Sequence, residues 1–156
     1  MKLVIVESPT KAKTLSAILP KKDYIIEASM GHIRDLPKSG LGVDVEKDFE
    51  PEYTVSPKAK KTLSILKQKS KDADEIILAT DPDREGEAIA WHLEYLLQPE
   101  KKKTKSKKKD VKEAEKNKDS KTDGKIKFGR VVFHELTESA INDAFKNLGQ
   151  IDMNLV

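Results

Sequence analysis

The stretch Leu78–Leu93, LATDPDREGEAIAWHL, sets four carboxylates (Asp81, Asp83, Glu85 and Glu87) within seven residues. At an effective dielectric near 20, two carboxylates about 4 Å apart repel by on the order of 4 kcal/mol. A chain that gathers them needs a compensating positive charge. The flanking residues say where the cluster lies. Upstream, EIILAT (75–80) is a short apolar run of strand type. Downstream, EGEAIAWHLEYLL (85–97) places Ile89, Leu93, Leu96 and Leu97 on one helical face. The acids therefore fall where a strand hands over to a helix.

The same alternation continues outward. KLVIV (2–6) predicts a buried strand, after which Ser8 reads as an N-cap and Pro9 as the first residue of a helix, PTKAKTLSAIL, striped by Leu15, Ile18 and Leu19. YIIEAS predicts a second strand, and residues 30–52 a long irregular stretch of the kind that is often functional. A helix is expected from Pro57 to about Lys69, with Leu63 and Leu66 inward, and EIILAT is the third strand. RVVFH (130–134) predicts the fourth strand. Thr137 then caps ESAINDAFKNL, with Ile141, Ala144, Phe145 and Leu148 as its stripe and Gly149 as its stop. Strands alternating with helices point to an α/β fold, a parallel sheet covered on both faces. In such sheets ligands bind beyond the carboxyl ends of the strands, which singles out Glu7, Gly31–His32, Asp81–Asp83 and Glu135.

Composition narrows the class. The 156 residues are enough for one domain, and the absence of cysteine excludes disulfides and thiolate metal sites. The apolar run near the N-terminus is too short for a signal peptide and no run approaches a membrane span, so a cytoplasmic protein is expected. The net charge of +3 is uneven: Glu100–Lys127 holds thirteen lysines against six acids, a local +7, which leaves −4 for the rest. The basic balance belongs to that one segment, which is expected to be a disordered insertion, either a solvated surface or a nonspecific holder of nucleic-acid phosphates.

For the acidic cluster two readings stand side by side. A hard divalent cation such as Mg²⁺ takes carboxylate oxygens together with waters and substrate phosphate, and would offset the repulsion of Asp81, Asp83 and Glu85. Alternatively, Asp83 is a helix cap and its neighbours are ordinary first-turn acids. Lys11, one turn into the first helix, either neutralises a phosphate near Glu7 or belongs to a solvated face. His32 is a ligand contact or a turn histidine. Arg34 and Asp35 make a backbone-phosphate contact or a local ion pair. Arg84 pairs with a neighbouring carboxylate, and Trp91 and His92 are expected to pack.

VIVESPTKAKTL, SMGHIRDLP, ATDPDREGEAIAWHL and RVVFHELTESAINDAF, in this order, resemble the N-terminal Toprim domain of the bacterial type IA DNA topoisomerases. The resemblance covers the chain apart from the lysine-rich segment. It implies a Rossmann-like, mainly parallel four-stranded Toprim sheet flanked by helices over residues 1–156, with the insertion expected at 100–127 and the downstream topoisomerase domains absent. It implies that Glu7 sits at the scissile phosphate and assists proton transfer to the departing 3′ oxygen, and that Lys11 approaches that phosphate. Glu7, Asp81, Asp83 and Glu85 would form the Mg²⁺ set, and His32, Arg34 and Arg130 would contact DNA. The family cleaves one strand by tyrosine attack on phosphorus, passes another strand through the gap and reseals it, without ATP. Its nucleophile belongs to a later domain, and Tyr24, Tyr53 and Tyr95 match no nucleophile motif. The chain alone is therefore expected to be monomeric, to bind Mg²⁺ weakly and not to cleave DNA, its partners being DNA and the remaining domains, in a cytoplasmic, nucleoid-associated setting. A Toprim primase or nuclease, a receiver-type phosphoacceptor domain and a non-enzymatic module are the rival readings.

Overall fold

The computed structural model describes residues 1–36, 43–44, 46, 50–51, 53–98 and 126–156. In chain order its elements are β1 (Lys2–Val6), α1 (Pro9–Ile18), β2 (Tyr24–Ala28), β3 (Arg34–Asp35), β4 (Val43–Asp44), β5 (Glu50–Pro51), β6 (Thr54–Val55), α2 (Pro57–Lys71), β7 (Glu75–Leu78), α3 (Arg84–Leu97), β8 (Lys127–Arg130) and α4 (Glu138–Lys146). Four strands pair in the order β2-β1-β7-β8, all parallel. Of the two short antiparallel pairs, β3 with β6 and β4 with β5, the strands β3, β4 and β5 lie within the stretch read from sequence as irregular and β6 lies just beyond it.

Alternation along the strands builds two cores. Leu3 and Ile5 of β1, with Ile76 and Leu78 of β7, face Ala59, Leu63 and Leu66 of α2 and Ile89, Ala90, Leu93 and Leu97 of α3. The residues between them, Val4, Val6 and Ile77, with Ala79 just beyond β7, point the other way onto Leu15 of α1 and Ile141 of α4. The sheet is thus the middle of three layers, α2 and α3 on one side and α1 and α4 on the other. Each fully buried Leu or Ile contributes about 1.5–3 kcal/mol relative to exposure.

Each helix starts on a side-chain cap. Ser8, Ser56, Asp83 and Thr137 accept from the backbone N–H three residues on, and proline follows Ser8 and Ser56. Such caps are worth about 1 kcal/mol each.

Two sequence expectations shift. The fourth strand is KFGR rather than RVVFH: Lys127 pairs with Glu75 and Arg130 with Leu78, so pairing to β7 selects residues with little strand propensity of their own. Val131 and Phe133 remain buried in the core beneath α1 and α4. Lys127, the last residue of the expected insertion, thus belongs to β8, and residues 99–125 lie outside the described residues. Gly149 does not stop α4 either. Asn147 is the C-cap, and Gly149 exchanges two backbone hydrogen bonds with Arg130, 2.8 and 3.0 Å long. No helix among the described residues is long and apolar enough to cross a membrane.

Candidate active site at the carboxyl ends of β1 and β7

Strands β1 and β7 are neighbours, with Ile5 opposite Leu78, so the residues that leave their carboxyl ends emerge side by side. Glu7 follows β1 and Asp81 follows β7. Lys11, on the first turn of α1, reaches between them: its Nζ touches Glu7 Oε1 and donates to Asp81 Oδ1. The contact to Glu7 is off-line, and both Glu7 carboxylate oxygens are buried without a hydrogen-bond partner. Asp81 is more open, its side chain 45% exposed.

Electrostatics follows that geometry. Partial burial acts to raise the Asp81 carboxyl pKa, but the hydrogen bond from Lys11, the contact with the Glu7 side chain and the nearby Lys11 and Arg130 charges outweigh it and hold the pKa below the usual carboxylate range. Burial acts to lower Lys11, and its hydrogen bond to Asp81 and ion pair with Glu7 override this and raise it. The pair is therefore held as ammonium and carboxylate.

The remaining acids of the cluster have separate partners. Asp83 Oδ1 accepts from Gly86 N at 2.7 Å as the α3 cap. Glu85 Oε1 lies 3.2 Å from His32 Nε2, with both side chains largely exposed. Glu87 is buried and paired with Arg130, Nη2 to Oε1 being 2.7 Å. The repulsion posed by the sequence is thus divided among an ammonium, a helix N-terminus, an imidazole and a guanidinium. Among the described residues no three His, Cys, Asp or Glu side chains group to hold a metal. Of the expected set of four, Glu7 and Asp81 converge, whereas Asp83 and Glu85 are turned to other partners.

Gly86 explains how the Asp81 loop lies against α3. A Cβ there would sit 2.0 Å from the Asp81 carbonyl oxygen, so only glycine permits the approach. Thr80 Oγ1 donates to Gly86 O at 2.6 Å on the same side. Opposite, Met30 and Gly31 both adopt positive φ, 61° and 86°. This turn brings Gly31 N to Glu7 O at 2.9 Å and carries His32 to the rim near Glu85.

Arg130 and Arg34, expected to contact DNA, are both turned inward. Arg130 Nε donates to Glu87 Oε1 at 2.9 Å, Nη1 to the carbonyls of Leu78 (3.1 Å), Thr80 (2.8 Å) and Val131, and Nη2 to that of Asp81 (2.9 Å). It satisfies the carbonyls at the exit of β7 and fixes the backbone of Asp81. Arg34 Nε donates to His92 Nδ1 at 2.8 Å, and its guanidinium lies over the rings of Tyr53, Trp91 and Tyr95 at 4.8, 5.2 and 4.3 Å. Accepting at Nδ1 keeps His92 neutral with its proton on Nε2. Burial, then the Arg34 and His32 charges, push its pKa down to about 4, against a weaker upward pull from Asp35.

Sequence reading missed Glu87 and His92 as partners of these arginines. The signal available was that Glu87, His92 and the buried Ile89 and Leu93 share α3; what no local pattern supplies is the match to β3 and β8. Tyr24 packs edge-on against Phe145 at 5.7 Å.

A parallel sheet with carboxylates and a lysine at adjacent strand ends, capped by a glycine-tight strand-to-helix turn, defines a Toprim domain. The chain matches the Toprim domain family over residues 2–136 and belongs to it. It is 47% identical over 169 aligned positions to "DNA topoisomerase 1" of Synechococcus elongatus and 45% identical to that of Synechocystis. Each alignment takes in 99% of this chain and 16% of the relative, so the chain spans about one sixth of those proteins. The full-length topoisomerase I structure from Thermotoga maritima superposes with a TM-score of 0.73 at 40% identity, over 99% of this chain and 22% of that one.

Proposed function

We propose that this chain is the Mg²⁺-binding Toprim portion of a type IA DNA topoisomerase. That enzyme cleaves and reseals one DNA strand through a 5′-phosphotyrosyl intermediate and relaxes negative supercoils in the bacterial cytoplasm. The observation that carries the reading is the convergence of Glu7 and Asp81 on Lys11, with both Glu7 oxygens buried and lacking a hydrogen-bond partner. Buried carboxylate oxygens that accept no hydrogen bond and are met only by an ammonium, beside a half-exposed second carboxylate, suit a hard cation that completes its shell with water and phosphate. Mg²⁺ bound by Glu7 and Asp81 would neutralise charge at the phosphate and orient it.

The residues of the chain then divide the work. Lys11 is placed to release the carboxylates and meet a phosphate oxygen as negative charge develops. The tyrosine oxygen, supplied from outside residues 1–156, bonds to phosphorus as the bond to the 3′ oxygen breaks. Glu7, half-buried at the end of β1, assists the transfer to the departing 3′ oxygen of the proton that the tyrosine hydroxyl gives up, and the reverse transfer on resealing. Asp81 remains ionised throughout, and Arg130 holds its backbone in place. His32, on the Met30–Gly31 turn, is the rim residue within reach of the DNA.

The test uses the full-length parent protein and this chain in parallel. Glu7→Gln and Asp81→Asn in the parent are expected to abolish plasmid relaxation with the fold retained. This chain alone is expected to bind Mg²⁺ weakly by calorimetry and to leave a nicking substrate intact. Metal-dependent covalent attachment of DNA to this chain would overturn the division of the site.

A further inference from the structure

Helix α2, PKAKKTLSILKQKSK, carries six lysines and no acid. Its buried face is Ala59, Leu63, Leu66 and Ser70. At about 100° per residue, Lys60, Ser64, Lys67 and Lys71 fall within about 60° of one another, a single line down the helix beside that face. Lys58, Lys61 and Lys69 lie on the far flank. Lys69 is paired with Glu27, and among the described residues no other lysine of α2 takes part in an ion pair.

The line borders a groove. Val55 of β6 and Leu63 form its apolar wall and floor, Lys60, Ser64, Lys67, Gln68 and Lys71 its polar side, around a cavity of about 610 Å³. One end lies beside the candidate active site: Ser56, which caps α2, donates its N–H to Ile33 O at 3.2 Å, next to His32. The other end reaches the amino ends of β1 and β7, where Asp74 N bonds Met1 O at 2.9 Å. From Lys60 to Lys67 the helix rises about 10 Å, and from Lys67 to Lys71 about 6 Å. Three ammonium groups on that spacing, with hydroxyl and amide donors between them, present a row of point charges to a polyanion.

We infer that this groove is a second nucleic-acid contact, holding backbone phosphates of a single strand that runs from the Glu7–Asp81 end down α2. The class of ligand rests on the function proposed above, whereas the site and its residues do not take part in strand cleavage. Phosphate is favoured because three ammonium groups stand in one line along the groove and no carboxylate lies among its lining residues. Contacts of this kind position a strand without reading its sequence.

The test is fluorescence anisotropy of a labelled mixed-sequence single-stranded oligonucleotide with the 156-residue chain, in EDTA, across a salt titration. Working without metal separates this outcome from that of the cleavage reading. The triple variant Lys60→Gln/Lys67→Gln/Lys71→Gln should flatten the slope of log K against log salt by about 2, as expected for three lost phosphate contacts. The control Lys21→Gln/Lys58→Gln/Lys61→Gln, which removes the same charge from exposed positions elsewhere, should leave it near wild type. All these lysines are exposed, so circular dichroism should report the same fold. Equal slopes for the two triples overturn the proposal, since net charge alone would then explain binding. So does polyglutamate binding as tightly as the oligonucleotide with the same dependence on the α2 triple, which would reassign the groove to an acidic protein segment.

Discussion

Arg130→Met tests whether the loop that presents Asp81 is held by one buried ion pair. Arg130 and Glu87 side chains are 2% and 4% exposed, and the arginine also serves the carbonyls of Leu78, Thr80, Asp81 and Val131. Methionine matches much of the arginine stem but leaves Glu87 a buried carboxylate with Asp152 N, at 3.0 Å, as its remaining partner. Breaking a buried pair in this way costs about 3–5 kcal/mol. Against a total domain stability of about 5–15 kcal/mol, that brings the chain close to unfolding. Glu87→Met strands the arginine instead, but four carbonyls still accept from it, so its cost should fall at the low end, about 3 kcal/mol. The double variant buries no charge and loses mainly the carbonyl bonds, about 1–3 kcal/mol in all where β-ladder bonds remain. The two substitutions should therefore be strongly non-additive, with a coupling of about 3 kcal/mol or more. Urea unfolding followed by Trp91 fluorescence and circular dichroism gives each corner of the cycle. Arg130→Lys, which keeps the charge but loses the fork, should fall between wild type and Arg130→Met. A cost below about 1 kcal/mol for Arg130→Met, or additivity within about 0.5 kcal/mol, would refute the argument.

His92 stays neutral down to about pH 4 in the fold and titrates near 6.5 when unfolded. Between those values the unfolded chain binds the extra proton, so stability falls as pH falls through that window, by roughly 3 kcal/mol. His92→Asn keeps an acceptor for Arg34 and should remove most of that loss when urea melts at about pH 7 and about pH 4.5 are compared. Gly86→Ala places a methyl 2.0 Å from the Asp81 carbonyl oxygen and should cost about 3 kcal/mol, read as a lowered melting midpoint, because the loop must move. Lys11→Met leaves Glu7 and Asp81 facing one another without a cation and should cost about 2 kcal/mol in EDTA. Saturating MgCl₂ should restore more stability to that variant than it adds to wild type, measured by the same melts. Removing Lys11 also lets the Asp81 carboxyl return toward its ordinary range, so less stability should be lost on acidification through that range than in wild type.

The order of strands and helices was legible because β1, β7 and the helices carry unbroken periodicity, as in KLVIV and the Ile89–Leu97 stripe. The strand tips followed from the sheet rule, and Glu7 and Asp81 do emerge together. What stayed hidden was partner choice across distance. DPDREGE reads as one acidic cluster, yet its members answer to Lys11, the α3 N-terminus, His32 and Arg130, and only tertiary contact assigns them. Arg130 and Arg34 read as exposed cations because nothing in their neighbourhood announces Glu87 or the aromatic set on α3. KFGR was passed over because glycine and lysine weaken a strand pattern, whereas alignment against β7 supplies the ladder that propensity does not. The short β3–β6 pair failed to register for a simpler reason: two-residue strands are too brief for alternation to show.

Strand β1 has consequences for how the molecule can move. Leu3 to Val6 are completely excluded from water, with neighbours on both edges and helices above and below. Sliding or tilting this strand would disturb both cores at once, so its amides should exchange with deuterium only on global unfolding. Glu7 is attached to the least compliant segment of the chain, while Lys11 and His32 hang from a helix side chain and a turn. Any opening that admits a ligand must therefore come from those peripheral groups moving around a stationary glutamate.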